Sequence, residues 1–71
     1  MDKTIFLKNI KFLRDKLGFR QDEVAAALGM AERSYSNKEN GKSAFRDTEL
    51  FLLLELFKVD NLIALFTVPL Y

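Results

Sequence analysis

Cysteine and histidine are both absent from this chain. Without cysteine, neither a disulfide framework nor a thiolate metal site can form. Without histidine, the commonest zinc ligand and the usual acid–base group near neutral pH are missing as well. No apolar run is long enough to cross a bilayer. The longest, Leu50 to Phe57, is broken by Glu55 and falls far short of the roughly 20 residues a spanning helix needs. The N-terminus (MDKTIFLKNIKF) lacks the basic-then-apolar layout and the small-residue cleavage site of a secretory signal. These absences lead us to expect a soluble, cytoplasmic protein that needs no cofactor or metal. They also make an enzyme the weakest functional idea, since no acid–base or nucleophile pairing stands out.

Seventy-one residues, 49% of them hydrophobic, suffice for one small domain with a single modest core. The formal net charge of +1 is unevenly distributed. Residues 1–20 carry six basic and two acidic side chains, and residues 21–30 carry two acidic ones. Residues 31–46 carry four basic and two acidic, and residues 47–71 one basic and four acidic. A basic N-terminal two-thirds against an acidic C-terminal third predicts one electropositive face.

The most informative stretch is Gln21 to Lys42, QDEVAAALGMAERSYSNKENGK. Gln21-Asp22-Glu23 opens a helix whose acids suit its positive end, and Val24, Ala25 and Leu28 give it one apolar face. Gly29 is placed to end it in the left-handed conformation. A second helix is predicted from Glu32 to Lys38, with Tyr35 turned inward and Gly41 closing it. Helices joined this tightly must cross steeply, and Ala25 to Ala27 supply small residues for the crossing. A steeply crossed pair with its second helix held outward is a helix-turn-helix.

Gln21, Ala25, Gly29, Tyr35 and the Glu39-Asn40-Gly41-Lys42 close resemble the phage repressor/Cro (XRE) family of helix-turn-helix DNA-binding proteins. The resemblance extends from roughly Asn9 to Phe66, judged by helix spacing. Two positions depart from the family pattern. Lys38 stands where an aliphatic or aromatic residue is usually buried, and Arg20 replaces the usual Ser or Thr cap.

Around the motif the pattern is helical throughout. A first helix is predicted from Lys3 to Leu17, capped by Asp2 or Thr4, with Phe6, Ile10, Leu13 and Leu17 as its core stripe. Gly18 ends it and Phe19 returns to the core. Asp47 or Thr48 should cap a fourth helix from Glu49 to Lys58. Leu50, Leu53, Leu54 and Phe57 form its core face, and extra apolar residues lie at Phe51, Leu52 and Leu56. A helix apolar nearly all round is buried on more than one side. Asp60 or Asn61 should cap a last helix bearing Leu62, Ile63, Leu65 and Phe66. Pro69 prevents that helix from continuing through the tail. The expected architecture is an all-α, compact five-helix domain over residues 1–66, followed by a short apolar tail at 67–71.

The resemblance implies that the second helix of the motif lies in the major groove. Its base-reading candidates are Glu32, Arg33, Ser36 and Asn37. Arg33 has the two donors that match guanine O6 and N7, and Asn37 the donor and acceptor that match adenine. The phosphate-binding candidates are Arg20, Gln21, Ser34, Asn40, Lys42 and Arg46. Arg14 and Glu39 fall where many family members pair a first-helix arginine with the acid that closes the recognition helix, which implies a structural ion pair. Five short helices cannot enclose all the C-terminal apolar side chains. Leu52, Leu56, Phe66, Val68, Leu70 and Tyr71 are therefore expected at a dimer interface. The competing reading has the tail folded back onto its own domain.

The functional expectation is a sequence-specific duplex-DNA-binding transcriptional regulator, a repressor acting as a homodimer. Two alternatives stay open: the antitoxin of a toxin–antitoxin pair, whose apolar C-terminal part would hold a toxin partner, and a protein-interaction adaptor that has lost DNA binding.

Overall fold

The computed structural model describes residues 3–71. They form α1 (Thr4–Lys16), α2 (Gln21–Ala27), α3 (Glu32–Glu39), α4 (Asp47–Phe57) and α5 (Leu62–Thr67), with no strand among the described residues. α2 packs on α3, and α1 packs on both α3 and α5. The protein is all-α, as the periodicity predicts.

Helix starts follow a different chemistry from the one expected. Asp2 lies outside the described residues and Thr4 is already helical, so Lys3 occupies the N-cap of α1 with no side-chain cap. Neither Asp47 nor Thr48 caps α4. Arg46 takes that position, and the Glu49 carboxylate reaches back to accept the Arg46 N–H at 2.8 Å. α2 begins the same way, with Glu23 accepting the Arg20 N–H at 2.8 Å. In both helices an acid in the first turn satisfies an otherwise orphaned donor and suits the helix dipole. Only α5 has the expected cap: Asn61 Oδ1 accepts from the N–H groups of Ile63 and Ala64 at 3.0 and 3.2 Å.

Between α2 and α3, Gly29 takes φ +74° and Met30 N–H bonds to Ala25 O, which closes the turn. After α3, Gly41 takes φ +80°, and a Cβ there would stand 3.1 Å from Leu7 Cδ1. Conformation favours glycine at Gly41, and a larger residue would also make the Leu7 side chain give by a few tenths of an ångström. α4 ends on Lys58, a non-glycine residue at φ +60°. A left-handed L-residue costs roughly 1–2 kcal/mol, part of which glycine recovers. Lys58→Gly is expected to stabilise the fold by about 0.5–1 kcal/mol, read as a higher midpoint in urea unfolding.

The core is formed by Phe6, Ile10, Val24, Ala25, Leu28, Tyr35, Leu53, Phe57 and Leu65. The Phe66 ring stacks on Phe6 at 4.3 Å, and Phe45 meets Phe6 edge-on. Two expectations need correction. Leu17 is 46% exposed, because α1 stops at Lys16 and the chain turns away at Gly18. Of the three alanines predicted at the α2–α3 crossing, only Ala25 is buried.

The α1 stripe contains a polar residue instead. Asn9 is fully buried, and its amide donates to Leu65 O at 2.8 Å and Val68 O at 2.9 Å. Its Oδ1 accepts the Leu70 N–H at 2.8 Å. One side chain thereby satisfies one carbonyl of the last turn of α5 and that of its C-cap, and ties the tail backbone to α1. The tail does fold back, but Val68, Leu70 and Tyr71 keep their side chains exposed, with Lys8 lying over the Tyr71 ring at 5.5 Å.

Candidate nucleic-acid interface

The centre of the interface lies beneath its surface. Glu39 ends α3 with 1% of its area exposed and accepts four hydrogen bonds. Arg14 supplies two of them, Nε at 2.9 Å and Nη2 at 3.2 Å. Gln21 Nε2 adds one at 3.0 Å and the Tyr35 hydroxyl another at 2.5 Å. Burial alone would raise the Glu39 pKa, but the donors from Arg14, Tyr35 and Gln21 together hold it below the usual glutamate value. Burial pushes the Tyr35 phenol up, and the neighbouring Glu39 charge adds to that, so the phenol remains a donor. Arg14 also donates Nη1 to Phe19 O at 3.1 Å. One carboxylate therefore joins α1, α2 and α3 and fixes the angle at which α3 leaves the domain.

Above this hub α3 carries the reading candidates. Glu32, Arg33 and Ser34 are exposed, and Ser36 and Asn37 are half-buried. Among the described residues no hydrogen bond or ion pair engages the side chains of Glu32, Arg33 or Asn37. Arg33 and Asn37 are one helical turn apart and share a face. Ser36 Oγ accepts from Asn40 Nδ2 at 3.3 Å, which leaves its own hydroxyl hydrogen to donate.

The phosphate candidates are more varied in state. Lys42 and Arg46 are exposed in and after the α3–α4 loop, and the Lys42 N–H is fixed to Asn37 O at 2.8 Å. Arg20 pairs with Asp22 at 3.0 Å, both well exposed. Such surface pairs are weak enough for a phosphate to displace the acid. Gln21 is not the free clamp that the sequence suggests. It is half-buried and one of its amide hydrogens goes to Glu39, leaving the other available.

Residues 10–60 match a family model described as helix-turn-helix. The chain belongs to the Cro/XRE-type helix-turn-helix family. It is accordingly a DNA-binding domain of the transcription-regulator type. No curated protein and no solved structure gave a match. Among the described residues no helix is long and apolar enough to cross a membrane.

Two features of this helix-turn-helix domain escaped the sequence reading. Asn9 sits three residues after Phe6 on the core side of α1, and a polar residue on an apolar stripe is the signal. Lys38, marked only as a departure from the family pattern, swings to α4 and pairs with Glu49 at 2.6 Å, with 14% of each side chain exposed. Nothing in local sequence announces a partner eleven residues away on another helix.

The six residues expected at a dimer interface fall in three places. Leu52 and Leu56 line a groove between α2 and α4 with Phe19 and Ala27. Phe66 is engaged by Phe6 within its own core. Val68, Leu70 and Tyr71 follow α1, tied there through Asn9 and Lys8.

Proposed function

We propose that the protein is a sequence-specific repressor that binds duplex DNA as a dimer in the cytoplasm, with α3 reading bases in the major groove. The observation that carries this reading is the contrast between the two sides of α3. Its inner side is fixed by a four-donor carboxylate, while the side chains of exposed Glu32 and Arg33 and half-buried Asn37 meet no hydrogen-bond partner among the described residues. A helix held rigidly with free donors outward loses little freedom on binding. Repression follows from occupancy, since a bound dimer covers its site.

Selection from a random duplex pool supplies the cognate site, and anisotropy titrations then test the roles. Arg33→Ala should weaken cognate binding by about tenfold to a hundredfold and random-duplex binding far less. Lys42→Ala should weaken both alike and lower the slope of log affinity against log salt by about one. Equal losses on both duplexes for Arg33→Ala would remove it from the base-reading set.

The dimer part of the proposal is seated on the Leu52–Leu56 groove. Its rim carries one acid, Glu55, and one base, Lys58, so a two-fold copy would set opposite charges against each other. Sedimentation at tens of micromolar should show a dimer, and Leu52→Glu should shift it to monomer without lowering the unfolding midpoint. A wild-type monomer under those conditions would leave the protein binding half-sites singly.

A further inference from the structure

Lys38 is one of the two positions at which this chain departs from the family pattern, and its partner lies on α4. Its ammonium reaches Glu49 Oε1 at 2.6 Å, and the same oxygen accepts the Arg46 N–H at 2.8 Å. Burial would raise the Glu49 pKa, but the Arg46 N–H and Lys38 together hold it below the usual glutamate value. The segment between α3 and α4 is anchored at its other end on the same turn of α3. Gly41 N–H bonds to Lys38 O at 3.1 Å and Lys42 N–H to Asn37 O at 2.8 Å. The backbone from Asn40 to Arg46 is therefore one side of a closed ring whose other side is Lys38–Glu49. That segment carries the exposed cations Lys42 and Arg46.

Stability alone does not account for the pair. Replacing a buried ion pair by apolar side chains of similar size is often neutral or stabilising. The surroundings favour such a replacement, because a cavity of about 60 Å³ beside Lys38 is lined by Phe6, Leu7, Phe45 and Leu50 among others. What apolar contacts lack is direction and a fixed length. Duplex phosphates have a fixed spacing, so the distance from α3 to Lys42 and Arg46 decides whether base and phosphate contacts can be made together. A cognate site demands both at once, whereas random duplex lets the cations settle on whichever phosphates they meet.

We propose that Lys38 and Glu49 are positioning residues that set the spacing between the base-reading helix and the phosphate-contacting segment Asn40–Arg46, and thereby sharpen sequence discrimination. The proposal rests on the reading of α3 given above. Its test is the double variant Lys38→Met/Glu49→Gln, in which glutamine Oε1 can still accept the Arg46 N–H. Lys38→Arg, which keeps the charge, is the control.

Two measurements are made on each protein: hydrogen exchange of the hydrogen-bonded amides of Gly41, Lys42 and Arg46, and affinity for cognate and random duplex. The double variant should keep its unfolding midpoint within a few degrees. It should exchange those amides about tenfold faster and lose about tenfold in cognate affinity, with random-duplex affinity nearly unchanged. Lys38→Arg should behave as wild type. A folded double variant with unaltered exchange and an unaltered cognate-to-random ratio would overturn the proposal. If the wild type shows no cognate preference, the base-reading role of α3 fails. Exchange in the free protein still decides whether the pair holds the segment, and unaltered exchange then overturns the proposal too.

Discussion

Arg14→Ala is expected to remove about 3 kcal/mol of folding stability. Glu39 is 1% exposed, and Arg14 supplies two of its four donors and, among the described residues, its only ion-pair partner. Removing one partner of a buried pair leaves the other uncompensated, at a cost of about 3–5 kcal/mol. Some screening reaches the pair, since 14% of the Arg14 side chain is exposed, which places the expectation toward the lower figure. A 71-residue chain has roughly 4–11 kcal/mol in total, so the loss is a large fraction. Urea unfolding followed by circular dichroism measures it. A double-mutant cycle with Glu39→Gln should show coupling well above 1 kcal/mol, and the absence of coupling would refute the structural role.

The same hub predicts the shape of the acid limb. The folded-state pKa of Glu39 lies below its ordinary value of about 4.5, so folding favours the ionised form. Its contribution is fully present above that value and is lost as pH falls through the lowered folded pKa. Glu39→Gln should lower stability at neutral pH and flatten the loss below about pH 4.5.

Asn9→Ala should cost about 2–4 kcal/mol, because one truncation orphans two carbonyls and one N–H. The damage should be local. Val68 to Tyr71 are held to α1 through Asn9 and the Lys8–Tyr71 contact, so the tail and the end of α5 should become sensitive to protease before the core unfolds. Asn9→Asp isolates the donors, since aspartate can accept from Leu70 N–H but cannot donate to Leu65 O or Val68 O. A loss under about 0.5 kcal/mol for Asn9→Ala, with the tail still protected, would show that the tail is held by its side chains instead.

The parts legible in the sequence share a physical character: each is set by neighbours in the chain. Helix existence followed from apolar spacing at three and four residues, and the turns from Gly29 and Gly41, which only a left-handed backbone explains. Tyr35 was expected to turn inward from its place on the helix, and it is buried. The family pattern was legible for the same reason, because a helix-turn-helix is a local unit of about twenty residues. The match of residues 10–60 covers that unit and its supports.

The sequence by itself thus determined an all-α chain, its five helices, its uneven charge and its helix-turn-helix. Apart from Arg14 and Glu39, tertiary structure alone decided which side chain answers which. It brought Gln21 to Glu39, Lys38 to Glu49 and Asn9 to the end of α5, and it turned Leu17 out while drawing Phe66 in. A polar side chain has many possible partners in sequence, and the choice among them is made by distances that exist only once the helices have packed. Burial then makes that choice strict, because a donor or acceptor cut off from water must be satisfied by whatever group the packing places within reach.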